Sequence, residues 1–135
     1  MNNARKITID PREEIYALEL IQKMPHDICY IEADGNDSYV INQFGYRYFI
    51  QKKIEQIQSS LPDSRFIKCN SEYIINTDMV QEIWISAEPI IVMNNGNIVK
   101  VSPELIPRIK KVLENKIVVG WAKDSHSLKL FNTHS

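Results

Sequence analysis

Apolar and polar positions change their period several times along the chain, and each change marks an element. Ile7-Thr8-Ile9 alternates and predicts a short strand. Asp10-Pro11-Arg12-Glu13-Glu14 then carries the marks of a helix start: Asp as cap, Pro at the first helical position, acid in the first turn. Ala17, Leu20, Ile21 and Met24 follow at helical spacing, so a helix is predicted over 11–24, ended by Pro25. Residues 27–32 (DICYIE) predict a strand with alternate apolar positions, and Asp34-Gly35-Asn36-Asp37 a turn. Residues 38–42 and 46–50 resume as strands around Phe44-Gly45, completing a meander. From Gln51 the period lengthens. Ile54, Ile57 and Leu61, with Lys52, Lys53 and Glu55 between them, describe a short amphipathic helix stopped by Pro62-Asp63.

The second half is again strand-like. Residues 65–69, 73–75, 80–86 and 89–93 are β-prone, and Asn94-Asn95-Gly96-Asn97 is the strongest hairpin signal in the chain, returning through 98–101. Ser102-Pro103-Glu104 opens a last helix, predicted to run to Asn115 with Leu105, Ile109, Val112 and Leu113 on one face. The apolar patch 117–121, with Leu128, Leu130 and Phe131 beyond it, predicts an added strand or a partner contact. The pattern as a whole gives a mainly β (α+β) protein.

Composition narrows the class of function. The 135 residues suit one domain and are 44% hydrophobic and 24% charged, which argues for a folded chain. Sixteen basic residues against seventeen acidic ones leave a formal charge of −1, so a phosphate-binding face has to be a local patch. No apolar run approaches the roughly 18 residues of a membrane span and no signal peptide is visible, so cytoplasmic residence is the expectation. Cys29 and Cys69 are isolated within apolar runs and read as buried free thiols.

His26, His126 and His134 have no nucleophile or second ligand at useful spacing. Glu32, Asp34 and Asp37 lack the spacing of a calcium loop. With four glycines and no GxGxxG or GxxxxGK[ST], no phosphate-cradling loop is encoded. Neither catalysis, metal nor cofactor is expected.

Residues 65–76 (RFIKCNSEYIIN) stand apart. Phe66, Tyr73, Ile74 and Ile75 can anchor a core, which would hold Lys68, Asn70 and Ser71 outward on a connection between strands. Such rigidly presented groups can contact phosphates and base edges. On its chemistry alone the segment reads first as a plain polar loop closed by Asn76.

Four ordered motifs make the segment more informative. Residues 27–36 (DICYIEADGN) resemble the opening "dIxYIEAdgN" strand and turn of the LytTR family, the C-terminal DNA-binding domain of many bacterial response regulators. Residues 48–62 (YFIQKKIEQIQSSLP) resemble its strand and single helix ending in Leu-Pro. Residues 66–76 resemble its "FxRxHxSyivN" signature, and 94–102 its closing "dGxxipvS" hairpin before a Lys-rich helix. The resemblance covers roughly 27–113. It implies an elongated stack of small antiparallel sheets with one internal helix and a C-terminal helix; the N-terminal helix over 11–24 comes from the local pattern and departs from the short strand pair with which the family usually begins. It implies an arm over 1–26, a DNA-binding domain over 27–115 and an extension over 116–135.

It also implies binding of duplex DNA through loops that enter successive major grooves. Carried over by position, the contacts fall at Ser38, at Asn70 and Ser71, and at Ser102 with the helix start Pro103–Glu104. Lys52, Lys53, Lys68, Lys100 and Arg108 are the expected phosphate binders. The sequence departs from the pattern at these places. Lys68 replaces the usual Arg and loses its bidentate fork. Asn70 replaces a His, Glu72 a Ser, and Pro103–Glu104 follow where Arg is common. Those departures leave open a second reading, a degenerate protein-interaction or sensory module without DNA binding. A homodimer, an upstream sensor or receiver protein, and a stand-alone or excised module are further expectations.

Overall fold

The computed structural model describes residues 10–61, 64–114 and 117–118. In chain order these form α1 (Pro11–Lys23), β1 (Ile28–Asp34), β2 (Asp37–Asn42), β3 (Arg47–Ile50), α2 (Ile54–Ser60), β4 (Phe66–Asn70), β5 (Tyr73–Asn76), β6 (Val80–Trp84), β7 (Ile90–Met93), β8 (Ile98–Lys100), α3 (Ile106–Val112) and β9 (Ile117–Val118). The strands make two sheets. The first is five-stranded, in the order β3-β2-β1-β5-β4, and the second four-stranded, in the order β8-β7-β6-β9. The mainly β reading holds. One pairing departs from an all-antiparallel stack, because β9 joins β6 in parallel. The expected strand at Ile7-Thr8-Ile9 and the extension beyond Val118 lie outside the described residues.

α1 begins where the capping pattern places it. The Asp10 carboxylate accepts from the Arg12 backbone N–H at 2.9 Å, satisfying one of the orphan donors of the first turn. A 13-residue helix is marginal alone. Burial of Ala17, Leu20 and Ile21 decides the matter, since each fully buried aliphatic side chain of Leu or Ile size contributes roughly 1.5–3 kcal/mol. α1 and α2 cover one face of the five-stranded sheet, packing on Ile28, Ile31, Val40, Ile50, Phe66 and Ile74. α1 is therefore part of the same core as β1.

The opposite face of this sheet packs on the four-stranded one. Cys29, Tyr30, Ile41, Ile67, Cys69 and Ile75 meet Val80, Ile83, Ile91, Met93 and Val99, joined by Ile109 of α3 and by Leu113 at its C-terminal cap. β1 thus has covers on both sides, and its first four residues are all buried. A register shift between Ile28 and Tyr30 in the pairing with β2 places Cys29 and Tyr30 together on the sheet-facing side. This is why the alternation read from 27–32 is incomplete.

Asn76 ties β5 to β1 and caps the turn that leads from β5 to β6. Its Nδ2 donates to the Ile28 carbonyl at 2.8 Å and its Oδ1 accepts from the Asp78 N–H at 2.9 Å, with no exposed surface. Gly35 and Gly96 take φ of 65° and 91° at the tips of the β1–β2 and β7–β8 hairpins, a region that costs other residues strain. The outward edge of β3 is closed by α1. Glu13 accepts from the Phe49 N–H at 2.7 Å and Glu14 from the Gln51 N–H at 2.6 Å, while Tyr16 packs edge-on against Tyr48 at 4.7 Å.

The last helix is shorter than the pattern predicts. Pro103–Leu105 forms a single 3₁₀ turn and α3 ends at Val112. Pro107 has no N–H to donate back to the Pro103 carbonyl, so the α ladder cannot begin earlier. Ile109 and Leu113, four apart, face the core, and Val112 is exposed.

Two outcomes are expected. Asn76→Ala leaves the buried Ile28 carbonyl unpaired and should cost about 1–3 kcal/mol in chemical denaturation; a loss below measurement error would remove Asn76 from this role. Burial pushes the thiols up, Cys29 to about 11 and Cys69 to about 12, and burial together with the neighbouring Glu32 carboxylate raises Tyr73 to about 12. The folded state therefore keeps protons that the unfolded chain releases from about pH 8.5 upward. Stability from these groups is complete below that pH and falls towards pH 11–12. Thermal unfolding at pH 10.5 should occur well below its pH 8 value, and equal midpoints would contradict the assignment.

Candidate nucleic-acid interface

The β4–β5 connection is a two-residue turn, Ser71–Glu72, between the paired Asn70 and Tyr73. Neither turn residue has a positive φ, so the mirror-image turns that suit hairpin twist are not used. A register shift between Lys68 and Asn70 takes up the mismatch. It also sets the faces. Lys68 pairs with Ile74, on the helix side, whereas Asn70 pairs with Tyr73, on the side of the four-stranded sheet.

Asn70 is engaged at both ends of its amide. Its Oδ1 accepts from the Glu72 N–H at 2.7 Å, closing the turn, and its Nδ2 donates to the Lys100 carbonyl on β8 at 2.7 Å. A second link runs beside it, from the Ser102 N–H to the Cys69 carbonyl at 2.9 Å. The turn is held from its other side too. The Ala33 N–H donates to the Glu72 carbonyl at 2.8 Å, and the Tyr73 hydroxyl donates to Glu32 at 3.1 Å. Glu32 also pairs with Arg47 at 3.3 Å, whose guanidinium lies 4.1 Å from the Tyr39 ring.

These links create an open cleft of about 510 Å³ where the two sheets meet, lined by Asn70, Ser71, Glu72, Tyr73, Ile98, Lys100, Val101 and Ser102. Four of the nine residues expected from the sequence converge here: Asn70, Ser71, Lys100 and Ser102. Lys100 is the cation of the lining and Glu72 the carboxylate.

The other five lie elsewhere. Ser38 is on β2 with no exposed surface, and its hydroxyl donates to the Lys52 carbonyl at 2.8 Å. Its chemistry is consumed inside the fold, and a groove contact at that side chain has no surface to act from. Lys52 lines a smaller pocket of about 270 Å³ between α1 and α2, with Leu18, Ile21, Gln22, Ile57 and Ser60. Lys53 is exposed at the cap of α2, where its N–H donates to Gln56 Oε1 at 2.9 Å. Lys68 is half-buried on the helix-facing side, and Arg108 is exposed on α3.

Ile98, 58% exposed in the cleft, was not singled out by sequence reasoning. The signal was present, because Ile98 and Lys100 flank the buried Val99 and so share a face. Lys110 and Lys111, exposed on α3 beside Arg108, were passed over as an ordinary Lys-rich helix.

Comparison with known proteins supplies a context for this cleft. Residues 19–114 match the model of the LytTr DNA-binding domain family. The chain is 30% identical over 90 residues to the sensory transduction protein LytT of Bacillus subtilis (strain 168), covering 64% of this chain and 36% of that protein. It therefore spans about a third of the length of this curated relative. Its fold is similar to the solved structure of a LytTr DNA-binding domain from Bacillus cereus, with a TM-score of 0.58 and 23% identity over 65% of this chain and 82% of that one.

Asn70→Ala should cost about 0.5–1.5 kcal/mol, the usual net worth of such bonds at a half-exposed site. The Glu72 amide should then exchange with solvent faster than in the native protein. Unchanged exchange at Glu72 would show that the turn holds without the Asn70 side chain.

Proposed function

Because the chain belongs to the LytTr DNA-binding domain family, we propose that it is a transcription-regulating module that reads duplex DNA through the connections between its strands. The observation that carries this reading is the convergence of Asn70, Ser71, Lys100 and Ser102 in one open cleft, inside the segment that matches the family. Hydroxyls and an ammonium on short, doubly anchored connections suit a groove, since neither partner has to reorganise on contact.

In this reading Ser71 and Ser102 approach base edges and Lys100 holds phosphate. Arg108, Lys110 and Lys111, exposed on α3, add positive charge outside the cleft. Asn70 shapes the turn. Lys52, Lys53 and Lys68 lie on the helix side of the sheet and contribute at most to long-range attraction. Ser38 is left out of the interface. One small module offers limited interface, so two copies on a repeated site, and a homodimer there, complete the proposal. An upstream sensor or receiver protein would supply the signal, as the name of the Bacillus subtilis relative suggests for that protein. Among the described residues no helix is long and apolar enough to cross a membrane.

Fluorescence polarisation on duplex DNA tests the reading. Four cations on phosphates give a slope of log K against log salt of roughly −3 to −4, and Lys100→Ala or Arg108→Ala should each reduce it by about 1. Binding at low salt no stronger than that of a neutral control protein would end the proposal.

A further inference from the structure

Ile98 is the least expected residue in the cleft. It is 58% exposed on β8, whereas its neighbour Val99 is 2% exposed. The strand alternation aims Ile98 and Lys100 the same way, and the cleft lining brings Ile98 beside Ser71, Glu72 and Ser102. Resting on the DNA-binding reading, we propose that Ile98 is a specificity-determining residue that packs on the 5-methyl group of a thymine in the major groove.

The groups around it leave this task open. The Asn70 amide, which could otherwise recognise adenine, is engaged by the Lys100 carbonyl and the Glu72 N–H. The Tyr73 hydroxyl is engaged by Glu32. Serine hydroxyls bond to donors and acceptors alike, and the Lys100 ammonium is a point charge equally at home on phosphate. Glu72 can accept from a cytosine amino group, which is a separate contact that a methyl group does not alter. An exposed branched apolar side chain is different. In the major groove the thymine methyl is the apolar feature it can cover. The position also suits the role because β8 is an edge strand held through Asn70 and Ser102, so the side chain is presented on a fixed backbone.

The test uses the full chain and duplexes that it enriches from a randomised pool. Each thymine is exchanged singly for deoxyuridine, which removes only the methyl group. At one position at least, wild-type affinity should fall by about fourfold, the worth of roughly one methyl group moved from water. Ile98→Ala should bind the thymine and uracil duplexes equally, and Ile98→Val should keep part of the difference. The exposure of Ile98 means that both variants should fold, and matching thermal midpoints would establish it. If no exchange weakens the wild type, or if the same exchange weakens Ile98→Ala as much, the assignment falls while DNA binding stands. If the wild type enriches no duplex, both fall together.

Discussion

The burial of β1 on both faces is the constraint from which the rest of the molecule follows. Ile28 and Ile31 need a cover on one side, which α1 and α2 provide. Cys29 and Tyr30 need one on the other, which the four-stranded sheet provides. Removing either cover would return a row of apolar side chains to water, at roughly 25 cal/mol for each Å² exposed. The hydrophobic term sets the layers but does not hold them in one relative position. Directional bonds between the sheets do that: Asn97 on the Tyr30 hydroxyl, Asn70 on the Lys100 carbonyl, and the Ser102 N–H on the Cys69 carbonyl.

Two of these three bonds lie at the cleft, so the site and the sheet junction are the same piece of structure. The Lys68–Asn70 register shift turns Asn70 away from the helices and into the junction. That choice puts architecture first, since an amide engaged at 2.7 Å on both ends is fixed in one orientation and keeps one N–H and one lone pair. The groups that remain accessible, Ser71, Glu72, Ile98 and Lys100, differ in kind: a hydroxyl, a carboxylate, a branched hydrocarbon and an ammonium.

Much of this was legible in the sequence, and the failures have identifiable causes. The capped helix at Asp10-Pro11 and the glycine hairpins depend on local backbone preferences, which a linear reading detects. The family motifs placed the β4–β5 turn and the β8 end correctly, because apolar anchors such as Ile74 and Ile75 are spaced by the pleat. The burial of Ser38 was not legible because nothing local distinguishes a serine that serves its own backbone from one that serves a ligand. Its partner, the Lys52 carbonyl, is fourteen residues away. Lys68 ended on the far face because a one-residue register shift is invisible in composition. The final helix was overestimated because the apolar spacing of Val112 and Leu113 outvoted two prolines. Ile98 was overlooked because it adjoins Val99 in a short apolar run, where composition does not say which neighbour faces inward.

The carboxylates of Glu13 and Glu14 on the β3 edge bear on where this protein can be cut. The family match begins at residue 19, partway along α1, and leaves both carboxylates outside. A boundary drawn from kinship therefore differs from one drawn from physics. A fragment trimmed to the shared segment would keep its motifs but present two unsatisfied edge amides, the template on which strands of separate molecules zip together. The first turns of α1 thus act as a chaperone in miniature, built into the chain and keeping neighbouring copies from adding to its sheet.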